Sequence, residues 1–465
     1  MDCDVVVVGA GISGLATAFH LQRRGHAVRV LEAAPRAGGV IGSQRRDGVL
    51  YETGPNSTLD TSPLIGELLE SAGIAAERLD ATAAAARRYV LRDGRLIPLP
   101  TSPGAFLATR LFSLVAKLAL AREPFVAPAP PDREETVAAF VRRRLGAEFL
   151  DYAIEPFVAG IYAGDPEQLS VQAAFPRLYA LEQRYRSLIR GQILGARERA
   201  RSREKAKNAA SSFSFRNGMQ TLPDALARAL PGLETGVRVV RLARADDGTF
   251  MVQGERGGER RDARTRAVVL AVPADAAAGL VRQLAPAAAQ ALDAIPYSPV
   301  AVVASAYRRV DVKHALDGFG FLSPRKEGRA VLGTLFASSM FDGRAPADTV
   351  VLTTFVGGAR NPALARATPY EIVAAVEREL AALLGAASPQ WREVVQWPRA
   401  IPQYTLGHLG RIAALEQAEA AVPGVFFRSN YRGGVSVGDC IKSADAAAMA
   451  VAAFLANQPS RSATR

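Results

Sequence analysis

Gly9-Ala10-Gly11-Ile12-Ser13-Gly14 stands between a run of four valines, Val5 to Val8, and a segment with helical signals over residues 12–24. A short, purely β-branched run suits a parallel strand buried on both faces. The glycines then dictate the turn. Gly9 makes it tight, Gly11 lets a phosphate approach the backbone, and Gly14 lets helix pack on strand. The helix start offers unpaired N–H groups and a positive dipole end. Gly25 is placed to close that helix. A second apolar strand over 28–31 leads to Glu32, 18 residues after Gly14. A carboxylate there accepts the hydroxyls of an adenosine ribose and repels a 2′-phosphate. Together these residues predict a dinucleotide-binding α/β unit.

Glu32 and Ala33 are followed by Arg36, Gly38 and Gly39. The second glycine pair permits another close approach of backbone to ligand, and Arg36 adds positive charge near a pyrophosphate. This extension resembles the FAD-binding signature of glutathione-reductase-like and amine-oxidase-like flavoproteins. Gly433-Gly434-Val435-Ser436-Val437-Gly438-Asp439 resembles their C-terminal Gly-Asp motif. The alternative for Asp439 is an ordinary helix N-cap. In the same plan Val239 lies against the adenine, and residues 268–273, with Ala271, lead out of the cofactor unit. A chain that leaves such a unit and returns at its C-terminus builds a cleft, where flavin meets substrate.

The remaining signals divide the chain. Residues 61–73 read as a helix opening at Pro63 and closing at Gly73. Residues 89–97 read as a hairpin turning at Asp93-Gly94. Residues 105–207 look mainly helical, and 296–357 carry several antiparallel strands. Thr368-Pro369-Tyr370-Glu371 opens a helix ending at Gly385. A last helix is expected over 443–455. The predicted fold is α/β: a Rossmann-like FAD-binding domain (1–80, 208–275, 405–457), an inserted mixed α+β substrate domain (81–104, 276–404) and a mainly helical domain (105–207). Residues 458–465 are expected to fray.

Charge and cysteine content narrow the partners. Lys and Arg number 57 against 45 Asp and Glu, a balance of +12. That suits an acidic small molecule, an anionic lipid surface or nucleic acid. No helix-turn-helix, RNA-recognition or zinc pattern accompanies it, so nucleic acid is not expected. Cys3 and Cys440 cannot staple a chain this long, which points to a reducing compartment. His20, His26, His314 and His408 lack metal-ligand spacing, so no metal site is expected. No secretory signal or membrane span is read, because Arg110 and Lys117 interrupt the best apolar stretch.

Outside the cofactor motifs, several segments resemble the protoporphyrinogen oxidase family of FAD enzymes. They include Glu52-Thr53-Gly54-Pro55-Asn56-Ser57, Glu155-Pro156-Phe157-Val158-Ala159-Gly160-Ile161-Tyr162-Ala163-Gly164-Asp165-Pro166, Phe215-Arg216-Asn217-Gly218-Met219, Pro402-Gln403-Tyr404-Thr405-Leu406-Gly407-His408 and Asn430-Tyr431-Arg432-Gly433-Gly434. The resemblance runs from Val5 to about Ala448, in the family's order. Asn217 departs from it, standing where the family often has Gly. The resemblance implies six-electron oxidation of protoporphyrinogen IX to protoporphyrin IX on non-covalent FAD, with dioxygen as acceptor. No side chain is then the catalyst, because hydride goes to the flavin. It assigns Arg88 to a substrate propionate, the Gly160 carbonyl to the pyrrole N–H groups, and Leu322 and Phe336 to the two faces of the macrocycle. Gly54, Pro55, Asn56 and Trp397 join the cofactor contacts. An amine oxidase or polyene desaturase relative would keep every FAD motif, so another substrate stays open, as does a homodimer.

Residues 105–121 read as one interfacial helix. Arg110 and Lys117, seven apart, would share a basic face, and Leu111, Phe112 and Leu114 an apolar one. The stretch 184–207, with nine Lys/Arg against two Glu, would add attraction to an anionic surface. The competing reading is an ordinary core helix and a solvated basic face. The expected location is cytoplasmic, peripheral on the inner face of the cell membrane.

Overall fold

The computed structural model describes residues 2–130, 133–195, 204 and 210–457, so the tail expected to fray over 458–465 lies outside the described residues. In its first sheet, β1 (Cys3–Val8) lies parallel between β2 (Val28–Glu32) and the strand Ala263–Leu270. Leu233–Thr235 continues the parallel set beyond β2, and Val425–Phe427 pairs with Ala263–Leu270. Phe250–Arg256 and Arg238–Arg244 extend the sheet antiparallel. The valine run is buried because both faces are covered. Val5 and Val7 pack towards α1 (Ile12–Arg23) and the C-terminal helix Val437–Ala456. Val6 and Val8 pack towards Ala274–Val281, Pro286–Asp293 and His408–Ala421. The sequence reading gives residues 276–296 to the substrate part, yet their two helices cover this first sheet.

The second sheet runs, in spatial order, Trp391–Pro402, Tyr297–Arg308, Thr349–Gly357, Val331–Leu335, Gly320–Leu322, Tyr89–Arg92, Arg95–Pro98. The last two strands form the hairpin expected at Asp93-Gly94. Helix Pro369–Leu384 packs on this sheet, opened by the Thr368–Glu371 capping box and closed at Gly385. A hairpin from the N-terminal part, Ser43–Arg46 with Val49–Glu52, also reaches this sheet, where Val49 and Tyr51 meet Ala304, Ala306 and Trp391. The third part is helical. Its helix Glu155–Tyr162 lies against strands Gly320–Leu322 and Val331–Leu335.

Two expected helices differ. Residues 105–121 form two helices, Pro103–Ala108 and Leu114–Ala121, with Arg110 in the turn between. The break has a cause. The Ser113 hydroxyl accepts from the Ala116 N–H and so starts a new helix. Glu148 then anchors Ser113 through both its N–H and its hydroxyl. Arg110 and Lys117 therefore share no helix face, and the Lys117 ammonium donates to the carbonyls of Leu107 and Thr109. The C-terminal helix starts at Val437, not 443, capped by Ser436. Its Gly438 is a packing glycine, since a Cβ there would lie 3.1 Å from Ile65. Among the described residues, no helix is long and apolar enough to cross a membrane.

Candidate functional site

The first turn is held as the glycine pattern requires. Gly9 sits at φ +100°, and a Cβ there would strike Val272 and the Ala271 carbonyl at about 3 Å. At Gly14 a Cβ would come 2.0 Å from the Gly9 carbonyl oxygen and 3.0 Å from Ala271, so α1 can pack on the strand ends only without one. Gly11 is different. A Cβ built there meets no atom within 4 Å, so its outer face opens on space a ligand can fill. The second glycine pair lies against this loop. The Gly38 N–H donates to the Ala10 carbonyl at 2.8 Å, and a Cβ on Gly39 would stand 3.3 Å from the Gly11 Cα.

Glu32 ends β2 beside this cradle. Its two carboxylate oxygens accept from the Ala10 N–H at 2.6 Å and the Ala34 N–H at 2.7 Å, which fixes the group while leaving lone pairs for ribose hydroxyls. Ala33 is exposed next to it. The Val237 N–H donates to the Glu32 carbonyl, which brings strand Arg238–Arg244, and Val239 on it, alongside. Arg36 does more than add charge. Its guanidinium donates to the carbonyls of Ala37, Gly39 and Ile41 and to Gln220, and so shapes the glycine loop. α1 begins at Ile12 and Ser13, with its N-terminus at the same place. Open space at Gly11, an anchored ribose carboxylate and a helix N-terminus fit a dinucleotide.

The other residues expected at the cofactor lie at the start of the C-terminal helix and at the join between the two sheets. Gly434, at φ +121°, lies so close to Asp439 that a Cβ would stand 2.6 Å from its side chain. Asp439 accepts from the Ser436 hydroxyl at 2.6 Å inside the first helical turn, so it is not the N-cap. Val435 is half-buried, and Val437 is buried in the core shared with α1. Across the domain join the Trp397 indole N–H donates to the Thr53 carbonyl at 2.8 Å, just before Gly54, Pro55 and Asn56. Asn56 is buried and donates to the Gly54 carbonyl.

The substrate residues are only partly brought together. Gly160 and Leu322 face each other, for a Cβ on Gly160 would lie 3.1 Å from a Leu322 methyl. Strand Tyr89–Arg92 runs parallel to Gly320–Leu322, with Tyr89 opposite Phe321, so Arg88 enters one residue ahead of that ladder. Arg87 and Tyr89 both bond Asp317. Arg88 has no carboxylate contact among the described residues. Its guanidinium lies 5.0 Å from the Phe319 ring, and partial burial holds its pKa below the ordinary arginine range. Phe336 is not at this surface. It is fully buried, packed on Phe321 and His314 in the core under helix Pro369–Leu384, which corrects its assignment to a macrocycle face.

Sequence reasoning gave no role to Tyr404 and His408, although their motif was visible. Nor did it find the buried pair Glu52–Arg344, which ties Thr53 and Gly54 to the second sheet. No local pattern marks a pair so far apart in the chain.

The fold and this cradle fit a flavoprotein, and comparison with known proteins agrees. Residues 12–452 match the family model of flavin containing amine oxidoreductases. The chain is 35% identical to the chloroplastic protoporphyrinogen oxidase of Nicotiana tabacum, over 98% of this chain and 86% of that one. It is 30% identical to the coproporphyrinogen III oxidase of Bacillus subtilis, over 95% and 96%. A crystal structure from Exiguobacterium, provisionally assigned as a protoporphyrinogen oxidase, superposes with a TM-score of 0.81 at 24% identity, covering 98% of this chain and all of that one. The chain belongs to the flavin-containing amine oxidoreductase family, within the group that includes these porphyrinogen oxidases. It is an FAD-dependent oxidoreductase.

Proposed function

We propose that the chain oxidises protoporphyrinogen IX to protoporphyrin IX, with dioxygen as final acceptor. The carrying observation is the Gly160–Leu322 contact, with Leu322 paired to Val90 two residues from Arg88, a cation that meets no carboxylate among the described residues. A flat apolar tetrapyrrole needs an apolar slot, and its propionates need a cation at one edge. The higher identity to protoporphyrinogen than to coproporphyrinogen III oxidases favours this substrate.

FAD, when bound, accepts the hydride. The chain's own residues bind and orient. Gly9, Gly11, Ile12, Ser13 and Gly14 would hold the pyrophosphate, Glu32 and Ala33 the ribose, and Val239 the adenine. Arg36, Gly38, Gly39, Gly54, Pro55, Asn56, Ala271, Trp397, Val435, Val437, Gly438 and Asp439 would shape the rest of the cradle. Arg88 would anchor a propionate, the Gly160 carbonyl would face the pyrrole N–H groups, and Leu322 would exclude water from one face. Binding is non-covalent in this reading, with Cys440 buried beneath the Ser436 cap. Acid precipitation should release the flavin, and flavin kept in the pellet refutes this.

Aerobic incubation with protoporphyrinogen IX tests the main claim. Porphyrin fluorescence should grow well above autoxidation. A rate no higher than autoxidation, or a faster rate on coproporphyrinogen III, rejects it.

We also propose that the enzyme rests on an anionic membrane surface. Leu107, Leu114, Val115, Leu118, Phe125, Ile193 and Leu194 are large apolar side chains left exposed on neighbouring elements of the helical part. Arg110, Arg122 and Arg190 lie exposed among them. Six of the nine Lys/Arg of the 184–207 stretch lie outside the described residues, so the support comes from this patch.

A further inference from the structure

We propose that Tyr404 is a positioning residue for the flavin, acting through the loop 430–434. The inference rests on the FAD reading of that loop. Tyr404 is buried, and its hydroxyl makes two bonds to backbone. It donates to the Asn430 carbonyl at 2.7 Å and accepts from the Gly434 N–H at 3.0 Å. One phenol thus spans the loop from its first residue to its last. Burial holds the phenol well above its ordinary pKa, so it remains a donor.

The ring cannot swing. One face stacks on His408, with centroids 4.1 Å apart and planes 12° from parallel. Its side meets Tyr162 at 5.6 Å, T-shaped, two residues beyond Gly160 on the same helix. The Tyr404 carbonyl accepts from the Ser170 N–H at 2.8 Å. His408 holds the loop at a third point, its Nε2–H donating to the Tyr431 carbonyl at 2.9 Å. The loop needs such support. Gly433 and Gly434 both adopt positive φ, and glycine loses more conformational freedom on ordering than any other residue.

Tyr404→Phe keeps the ring and removes the bridge. The half-buried Asn430 carbonyl and Gly434 N–H would then lose their shared partner. Apoprotein of the variant should bind FAD roughly ten- to a hundredfold more weakly. The rise in melting temperature that FAD confers should shrink, and with protoporphyrinogen IX kcat should fall while KM holds. His408→Gln, which loses the stacked ring, should weaken FAD in the same direction. Unchanged FAD affinity in Tyr404→Phe, with apo and holo melting temperatures falling in step, overturns the proposal and leaves Tyr404 as core packing. If the parent enzyme does not oxidise protoporphyrinogen, the substrate reading fails, while the FAD titration still decides this one.

Discussion

Arg344 reaches Glu52 at 2.8 Å, and both side chains are buried. Glu52 also accepts from the Ser43 hydroxyl and the Met219 N–H, and Arg344 donates to Ser214. The pair joins the hairpin that precedes Gly54 to the turn after Phe215 and to the second sheet. Burial pushes the Glu52 carboxyl up, opposed mainly by the charge of Arg344. Removing one partner of a buried pair costs about 3–5 kcal/mol, because the other charge is left without compensation. Arg344→Met should therefore lower stability by that amount. The double variant Glu52→Gln, Arg344→Met should recover part of it. Denaturant melts of the three variants form the cycle, and strict additivity would refute the coupling.

Arg88 should act on substrate capture. One charge-assisted contact is worth about 1.5–3 kcal/mol, so Arg88→Ala should raise KM roughly ten- to a hundredfold with FAD content unchanged. Arg87→Ala, whose guanidinium is engaged by Asp317, should leave KM near its parent value. Equal effects of the two would remove Arg88 from the propionate role.

What could be read from the sequence divides by range. Gly9, Gly11, Gly14 and Glu32 were legible because each answers a local backbone demand within one strand–turn–helix unit. The Asp93-Gly94 hairpin and the Thr368 capping box were legible for the same reason. Phe336 was misplaced because an apolar residue at a strand end reads alike whether it faces a ligand or a core, and only the packed helix Pro369–Leu384 decides. The helix expected over 105–121 failed at Ser113, whose capping geometry is fixed by Glu148, 35 residues on. The domain boundary near 276 failed because alanine-rich helices carry no sign of which sheet they cover. Tyr404 and His408 stood in a recognised motif, but their role depends on a loop that the chain reaches some 25 residues later.

Under the membrane proposal, the substitutions that matter in the apolar patch are those of its exposed side chains. Leu111 and Phe112 are 0% and 5% exposed and belong to the core with Phe149, so aspartate there should unfold the helical part. Leu114 and Leu118 are 75% and 70% exposed. Leu114→Asp, Leu118→Asp should keep the parent melting temperature and lose sedimentation with anionic vesicles. Binding of the parent should also weaken with salt. A parent protein that stays in the supernatant at low salt would make the patch a contact for something other than lipid.

His408 should set part of the acid limit of stability. Burial lowers its pKa from 6.5 to about 4, with Arg411 lowering it further and Glu134 and the bond to Tyr431 opposing. Its Nε2–H donates to a carbonyl, so a second proton would go to Nδ1, which is buried and finds no acceptor among the described residues. The unfolded chain therefore binds more protons between about pH 4 and 6.5. Stability from this group is fully present above 6.5 and is lost as pH falls through 4. The whole effect is at most about 3 kcal/mol. His408→Gln removes the titration, so between pH 6.5 and 4 its unfolding free energy should fall less steeply than the parent's. Chemical denaturation at stepped pH measures both slopes. Parallel slopes would mean that His408 takes up its proton in the folded state, and that the Tyr431 contact does not keep it neutral.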